Sequence, residues 1–200
     1  CWFLTILTSL NLIYNNYIKI MFVQIQNTPN PNSLKFLPEK KVSNEMPFEI
    51  SDEKDTDNEL IRNILSINGV TSIFIGSDFI SVNKDEKINW EDLKHIIISF
   101  INEYYSSGKN IVIDKNENNN EKEDWNEIER QIIKILETKI RPAVARDGGD
   151  IKFQEYKDGV VKVKLEGSCS GCPSSTMTLK MGVQNLLKHY IPEVKEVLPI

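Results

Sequence analysis

The sequence predicts an α+β protein made of two small α+β domains joined by a polar linker. Two stretches, 21–113 and 125–200, have the short β-rich runs and helical apolar stripes that are typical of such domains. Between them, residues 114–124 include five acids, four asparagines and no apolar residue. Such a segment cannot bury a core, so it predicts a solvated linker that lets the two halves move relative to each other.

In the first domain, strands are predicted where β-rich runs border turn-forming residues. Residues 22–26 and 33–36 flank 28–32, where prolines and asparagines exclude regular structure. Residues 70–75 and 79–82 enclose Gly-Ser-Asp and predict a hairpin.

Two helices complete the first domain. A short stripe comprises Leu60, Ile61, Ile64 and Leu65, and a longer one comprises Trp90, Leu93, Ile97, Phe100, Ile101 and Tyr104. His95 lies on the longer helix and is interpreted as a surface histidine. Nothing in this domain has the spacing of metal ligands.

The second domain has the predicted order α-β-β-α-β. Its first helix has apolar residues every four positions from 128 to 140, and Pro142 should kink or end it. Residues 151–156 and 160–165 form a predicted hairpin with one solvent-facing side, because Val161, Val163 and Leu165 alternate with lysines. A helix starting at Pro173 and a strand at 194–198 follow.

Composition and charge exclude some classes of function. The net charge of -5 argues against a general nucleic-acid binder, which would usually be basic. No run of about 18 apolar residues is free of polar breaks, so no membrane span is expected. Residues 1–20 lack a basic n-region and an Arg-rich presequence, and we interpret them as upstream sequence or a tail without function before Met21. A cryptic targeting segment is the alternative.

Two of the three cysteines stand close together as Cys169-Ser-Gly-Cys172. Two cysteines at this spacing can face one soft metal, and Gly171 permits the tight turn. Pro173 suits the first position of a helix, whose positive end should lower the pKa of the thiols. A lone C-x-x-C is compatible with a thioredoxin-like dithiol, half a zinc site, half an iron–sulfur site, or chance.

The number of available ligands favours a site shared between chains. Zinc and 4Fe–4S clusters normally take four soft ligands, and the second domain offers two cysteines and His189. His189 lies about four turns along the following helix, too far away to join them. Two ligands from each chain of a C2 dimer, each pair on an exposed, surface-like loop, would complete the set. A β-hairpin precedes the motif, whereas a thioredoxin-like dithiol favours a βαβ context.

Several motifs resemble a known family. The C-terminal half resembles the NifU C-terminal, or Nfu-type, iron–sulfur domain at Ile-Arg-Pro (140–142), Asp-Gly-Gly-Asp (147–150) and Gly-Ser-Cys-Ser-Gly-Cys-Pro-Ser-Ser (167–175). The first half resembles the N-terminal domain that accompanies it at 28–36, 69–76 and 78–80.

The resemblance implies a homodimer that carries a bridging 4Fe–4S cluster, with Cys169 and Cys172 as ligands in each chain. Such a protein receives a cluster from an upstream assembly scaffold and passes it to apo iron–sulfur proteins. We therefore expect a carrier and not an enzyme, since the sequence contains no catalytic triad, phosphate loop or acid–base pair with plausible spacing. A thiol-disulfide oxidoreductase that uses the same cysteines is the alternative. The expected location is the bacterial cytoplasm, with the mitochondrial matrix as the alternative.

Overall fold

The computed structural model describes residues 22–43, 47–111 and 125–200 and confirms the α+β class. The predicted tail (1–20) and the predicted linker (114–124) lie outside the described residues. No described helix is both long enough and apolar enough to span a membrane.

The first domain is built on a five-stranded antiparallel sheet with the strand order β1-β2-β5-β4-β3. Its strands are β1 (Gln24–Asn27), β2 (Ser33–Leu37), β3 (Phe48–Ile50), β4 (Val70–Ile75) and β5 (Ile80–Lys84). The predicted strands and the hairpin are therefore confirmed, although the first strand begins at Gln24 and leaves Phe22 exposed. β3 was not predicted, because three residues are too few to show an alternating pattern.

Both predicted helices cover one face of this sheet. Helices α1 (Glu59–Leu65) and α2 (Trp90–Ser106) bury their apolar stripes against alternate residues of the central strands, such as Phe36, Ile73 and Val82. His95 is exposed, as predicted. The opposite face carries the remaining alternate residues, which are mostly polar: Ser33, Lys35, Ser72, Phe74, Ser81 and Asn83.

The second domain has the predicted α-β-β-α-β order. Its elements are α3 (Glu127–Ile135), a π-helical turn (Leu136–Ile140), α4 (Arg141–Arg146), β6 (Gly149–Lys157), β7 (Val160–Gly167), α5 (Pro173–Tyr190) and β8 (Glu196–Pro199). β6 and β7 pair antiparallel, and β8 runs parallel to β7. The apolar face of this sheet forms a core with residues of the helices, including Ile132, Val183 and Leu187.

Two local features change the course of the chain in the second domain: an interruption of its first helix and the turn between β6 and β7. The predicted interruption at Pro142 takes the form of the π-helical turn, after which the chain stays helical to Arg146. The hairpin turn between β6 and β7 has positive φ at Asp158 and Gly159, which matches the twist of the flanking strands.

The two domains contact each other. The strands β3, β4 and β5 of the first domain approach β7 of the second through the polar face of the five-stranded sheet. The central strands are consequently buried on both faces. The sequence predicted two halves that move relative to each other, and it did not predict this contact.

Candidate functional site

The cysteine pair lies on a short turn between β7 and α5. β7 ends at Gly167, residues 168–171 form the turn, and Cys172 immediately precedes the first residue of α5. Gly167 and Gly171 both have positive φ, which side-chain-bearing residues rarely adopt. The fold therefore places both cysteines on the turn that leads into α5, with Cys172 at the N-cap position of the helix.

Both cysteine residues are buried in this arrangement. Cys169 is 5% exposed and Cys172 is 0% exposed, whereas Ser170 and Gly171 at the tip of the turn are exposed. We expected an exposed, surface-like loop, and for the cysteines that expectation is wrong in the described conformation. Cys169 packs as a small apolar residue with the core of the second domain.

A glycine provides the space in which Cys169 sits. A Cβ atom added to Gly149 would lie 2.8 Å from the Cys169 sulfur and 2.6 Å from the carbonyl oxygen of Glu166. Gly149 pairs with Gly167 across the first rung of the β6–β7 ladder. The Asp-Gly-Gly-Asp motif thus permits close packing of the thiol against the strand, in addition to reversing the chain.

The electrostatic surroundings of Cys169 favour the neutral thiol. Burial raises the pKa of Cys169 to about 11, and the nearby acids Asp147 and Asp150 add to the rise. Ser168, whose hydroxyl lies 4.0 Å from the sulfur, lowers the pKa and has a larger effect than either acid, but burial has the largest effect of all. The sequence predicted a lowered thiol pKa from the helix N-terminus. That prediction is wrong for Cys169 in this conformation, because desolvation is the largest effect.

A buried ion pair fixes the helical segment that precedes the site. The Nε and Nη2 atoms of Arg141 donate to the two carboxylate oxygens of Asp150 at 2.7 and 2.8 Å. Asp150 is buried, and this bidentate geometry is the strongest form of an Arg–carboxylate pair. The pair joins the start of α4 to β6, next to Gly149, so it links two motifs that stand apart in the sequence.

A second buried carboxylate lies just before the cysteine turn. Glu166 is within 2.6 Å of Lys152 Nζ and 3.0 Å of Lys164 Nζ, and its side chain is buried. Lys152 also donates to the carbonyl of Pro47 in the first domain. The carboxylate at the base of the turn is therefore paired with lysines of the second domain, one of which also binds the first domain.

The turn is also bound by polar side chains of the first domain. Asn30 donates to the Ser168 carbonyl at 3.0 Å, and Asn83 donates to the Gly167 carbonyl at 3.0 Å. Ser81 donates to the Gly148 carbonyl at 2.7 Å. Sequence reasoning missed these residues, because polar positions on one face of a strand normally indicate contact with water.

The histidines do not join the cysteines. His189 is exposed near the end of α5, about 25 Å along the helix from Cys172 at 1.5 Å per residue. Within 22–43, 47–111 and 125–200, no group of three or more His, Cys, Asp and Glu residues is arranged to hold a metal ion. In this part of the chain the candidate site therefore consists of two thiols and their supporting turn.

Comparison with known proteins identifies the family. The protein-family model described as "NifU-like domain" matches residues 132–198, and the family model described as "Scaffold protein Nfu/NifU N terminal" matches residues 23–108. The human protein named "NFU1 iron-sulfur cluster scaffold homolog, mitochondrial" is 42% identical over 185 residues, which cover 90% of this chain and 72% of the human one. The chain belongs to the NifU-like family. The resemblance of its two halves to the NifU C-terminal domain and to the accompanying N-terminal domain, which the sequence motifs indicated, is confirmed.

Other members of the NifU-like family are similar to a comparable degree. The Arabidopsis thaliana protein "NifU-like protein 4, mitochondrial" is 41% identical, and a Drosophila willistoni protein with the same name as the human one is 44% identical. Each alignment covers 90% of this chain, which spans 66% and 63% of those relatives.

Two solved structures match parts of the chain. The solution structure of a NifU-like protein from Saccharomyces cerevisiae matches with 28% identity and a TM-score of 0.43, covering 50% of this chain and 90% of that one. The crystal structure of protein SAV1430 from Staphylococcus aureus matches with 31% identity and a TM-score of 0.37, covering 40% of this chain and 98% of that one.

Proposed function

We propose that this NifU-like protein is a scaffold and carrier that binds a 4Fe–4S cluster through Cys169 and Cys172 and transfers it to apo-proteins. The observation that carries the proposal is the placement of both thiols on one glycine-containing turn at the start of α5. Family membership supports it, because relatives are named as iron–sulfur cluster scaffolds. Thiolate sulfur is the usual protein ligand of iron–sulfur clusters.

The cluster is shared between two chains in this proposal. A 4Fe–4S cluster takes four thiolates, and the described part of one chain brings together two. A homodimer with two-fold symmetry would present the same turn twice and so supply four equivalent ligands. In this role the cluster is cargo, and the protein acts as a carrier and not as an enzyme.

Transfer follows from having few ligands per chain. A thiolate of a client protein displaces one cysteine, and further exchanges move the cluster without releasing iron into solution. A cluster that is held by two ligands from each of two chains is released more readily than a cluster that is held by four ligands of a single chain. The partners are therefore apo iron–sulfur proteins and the scaffold that supplies the cluster.

A thiol-disulfide oxidoreductase remains the alternative that uses the same residues. Reactive dithiols depend on a lowered pKa in at least one thiol, whereas burial raises the pKa of Cys169 to about 11. A cluster ligand must also be a thiolate, so this pKa does not separate the two roles; the naming of relatives as iron–sulfur cluster scaffolds favours the carrier. For location, the word "mitochondrial" in the names of the human and Arabidopsis thaliana relatives favours the mitochondrial matrix over the bacterial cytoplasm.

The test is cluster transfer measured side by side with disulfide reduction. Protein reconstituted without oxygen should activate an apo 4Fe–4S enzyme, at about one client per holo-dimer, and lose its own visible absorption as the client gains activity. Direct exchange predicts that the transfer continues in the presence of an iron chelator. Metal-free protein should show no catalytic turnover on disulfide substrates.

The Cys1→Ser variant is the matched control, because it removes a cysteine from outside the C-x-x-C pair. This variant should transfer the cluster like the unmodified chain, whereas Cys169→Ser and Cys172→Ser should not. Metal-free protein that reduces disulfides over many cycles, together with holo-protein that leaves the apo-enzyme inactive, would contradict the carrier and support the oxidoreductase.

A further inference from the structure

The polar face of the five-stranded sheet is built to bind the second domain. Ser81 is 0% exposed, and Lys35 and Asn83 are also buried, although all three point away from the apolar core of their own domain. A polar sheet face that met only water would be exposed. The buried donor groups of these side chains are satisfied, because each donates a hydrogen bond across the domain boundary.

Four side chains of the first domain bind across this boundary in the same way. The side chains of the first domain donate, and backbone carbonyls of the second domain accept. We call the four donors, Asn30, Lys35, Ser81 and Asn83, the latch residues. Lys35 bonds to the carbonyls of Ala145 and Arg146 at 3.2 Å each, at the end of α4, where helix carbonyls lack helical partners.

Asn30 and Asn83 bind the backbone on both sides of Cys169, and Ser81 binds the Gly148 carbonyl. Asn83 donates to the carbonyl of Gly167 and Asn30 to that of Ser168, while a longer Asn30 bond of 3.5 Å reaches the carbonyl of Ser170. The backbone before and after the cysteine is thus held by the same surface. Outward movement of the backbone at Cys169 would break these bonds.

Close packing reinforces the hydrogen bonds. A Cβ atom on Gly167 would lie 2.9 Å from the ring of Phe74, which is buried on the latch side of the sheet. A Cβ atom on Gly148 would lie 2.7 Å from the hydroxyl oxygen of Ser81. Both glycines have positive φ, so their missing side chains serve the turn and the domain contact together.

We propose that the first domain is a latch that holds the cysteine turn in a thiol-buried conformation, and that the domains must separate before the turn shares a cluster with a second chain. The burial of the two cysteines supports this inference. Cys169 is 5% exposed and Cys172 is 0% exposed, so in this conformation their sulfur atoms cannot approach those of another chain. The second half of the statement rests on the proposed function, whereas the thiol-burying latch does not.

The test measures alkylation of the cysteine pair by iodoacetamide in the full-length apo-protein. Mass spectrometry of the tryptic peptide 165–180 reads both thiols separately from Cys1. Ser81→Lys places a charged side chain in the domain contact and removes a buried hydrogen bond. The matched control is Ser77→Lys, the same change at an exposed position outside the latch.

Ser81→Lys should accelerate alkylation at least about tenfold, since the loss of one buried hydrogen-bond partner already changes an equilibrium constant by about that factor. Ser77→Lys should label at the rate of the unmodified chain. Equal rates for the unmodified chain, Ser81→Lys and the urea-unfolded protein would overturn the latch.

Lys35→Met provides a milder second variant if circular dichroism shows that Ser81→Lys does not fold. It removes the bonds to Ala145 and Arg146 while it retains an unbranched side chain, and it should also accelerate alkylation. Unchanged alkylation in folded Lys35→Met would overturn the latch.

Reconstitution with iron and sulfide on the same proteins separates the two proposals. If the latch variants label faster and also acquire a cluster faster than the unmodified chain, both proposals are supported. If they label faster but no protein acquires a cluster, the proposed function fails and the thiol-burying latch stands. If the unmodified chain acquires a cluster while the alkylation rates do not differ, the latch fails and the proposed function stands.

Discussion

Replacing Gly149 by alanine should destabilise the second domain by distorting the packing around Cys169. The added Cβ would lie 2.6 Å from the Glu166 carbonyl oxygen, 2.8 Å from the Cys169 sulfur and 3.2 Å from the Cys169 Cβ. Contacts below 3.0 Å force a movement, and the nearest atom belongs to the backbone of the paired strand. Overpacking of this kind costs about 1–3 kcal/mol in the free energy of unfolding.

Gly182→Ala is the matched control for this change. Gly182 lies within α5, and a Cβ atom there would meet nothing within 4 Å. Alanine is favoured over glycine in a helix interior by roughly 0.5–1 kcal/mol, so the control should raise stability. The same substitution is thus expected to have opposite effects at two positions of one domain.

Urea denaturation followed by circular dichroism measures both effects, with free energies obtained by linear extrapolation. The Gly149→Ala protein should unfold at lower urea than the unmodified chain, and Gly182→Ala at higher urea. A Gly149→Ala protein as stable as the unmodified chain would refute the reasoning, because it would mean that the close packing of Gly149 against Cys169 and Glu166 does not limit the size of the residue at position 149.

Two further predictions concern charge at the site. Arg141→Met leaves the buried carboxylate of Asp150 without its bidentate partner and should cost about 3–5 kcal/mol in unfolding free energy. Arg146→Met, at an exposed position of the same helix, should cost less than about 0.5 kcal/mol. Equal urea midpoints for the two variants would contradict the role of the Arg141–Asp150 pair. The pKa of Cys169 is raised from 9.0 to about 11, so on raising the pH the unfolded chain loses the thiol proton before the folded chain does. The stability that the neutral thiol gives to the folded state should therefore be present below pH 9 and lost as the pH rises towards 11. The measurement is the stability difference between the unmodified chain and Cys169→Ser across that range, and a difference independent of pH would show that burial does not control this thiol.

The secondary structure was largely predictable because it depends on local patterns. β-rich runs on either side of turn-forming residues identified β4 and β5, a helical stripe identified α2, and the proline at position 173 marked the start of α5. β3, with three residues, was too short to show a pattern. The helical segment before Pro142 continued as a π turn because the chain beyond it still packs against β6, which no local pattern records.

The candidate cysteines were predictable, but their environment was not. The C-x-x-C spacing located Cys169 and Cys172, and the helix N-terminus suggested a lowered thiol pKa. The pKa of Cys169 instead depends on burial, which arises from residues distant in the sequence such as Gly149. Ser81 and Asn83 were equally hidden, since a serine or asparagine facing water and one facing a backbone carbonyl look alike in a sequence.

The most direct test of the shared-cluster account is the iron and sulfide content of anaerobically reconstituted protein, measured together with its mass by light scattering. We predict about two iron atoms and two sulfides per chain, in a species of twice the 23.0 kDa chain mass. Cys1→Ser should retain this stoichiometry, and Cys169→Ser and Cys172→Ser should each lose the cluster. Four iron atoms on a single monomeric chain, or a full cluster in either of the last two variants, would contradict the account.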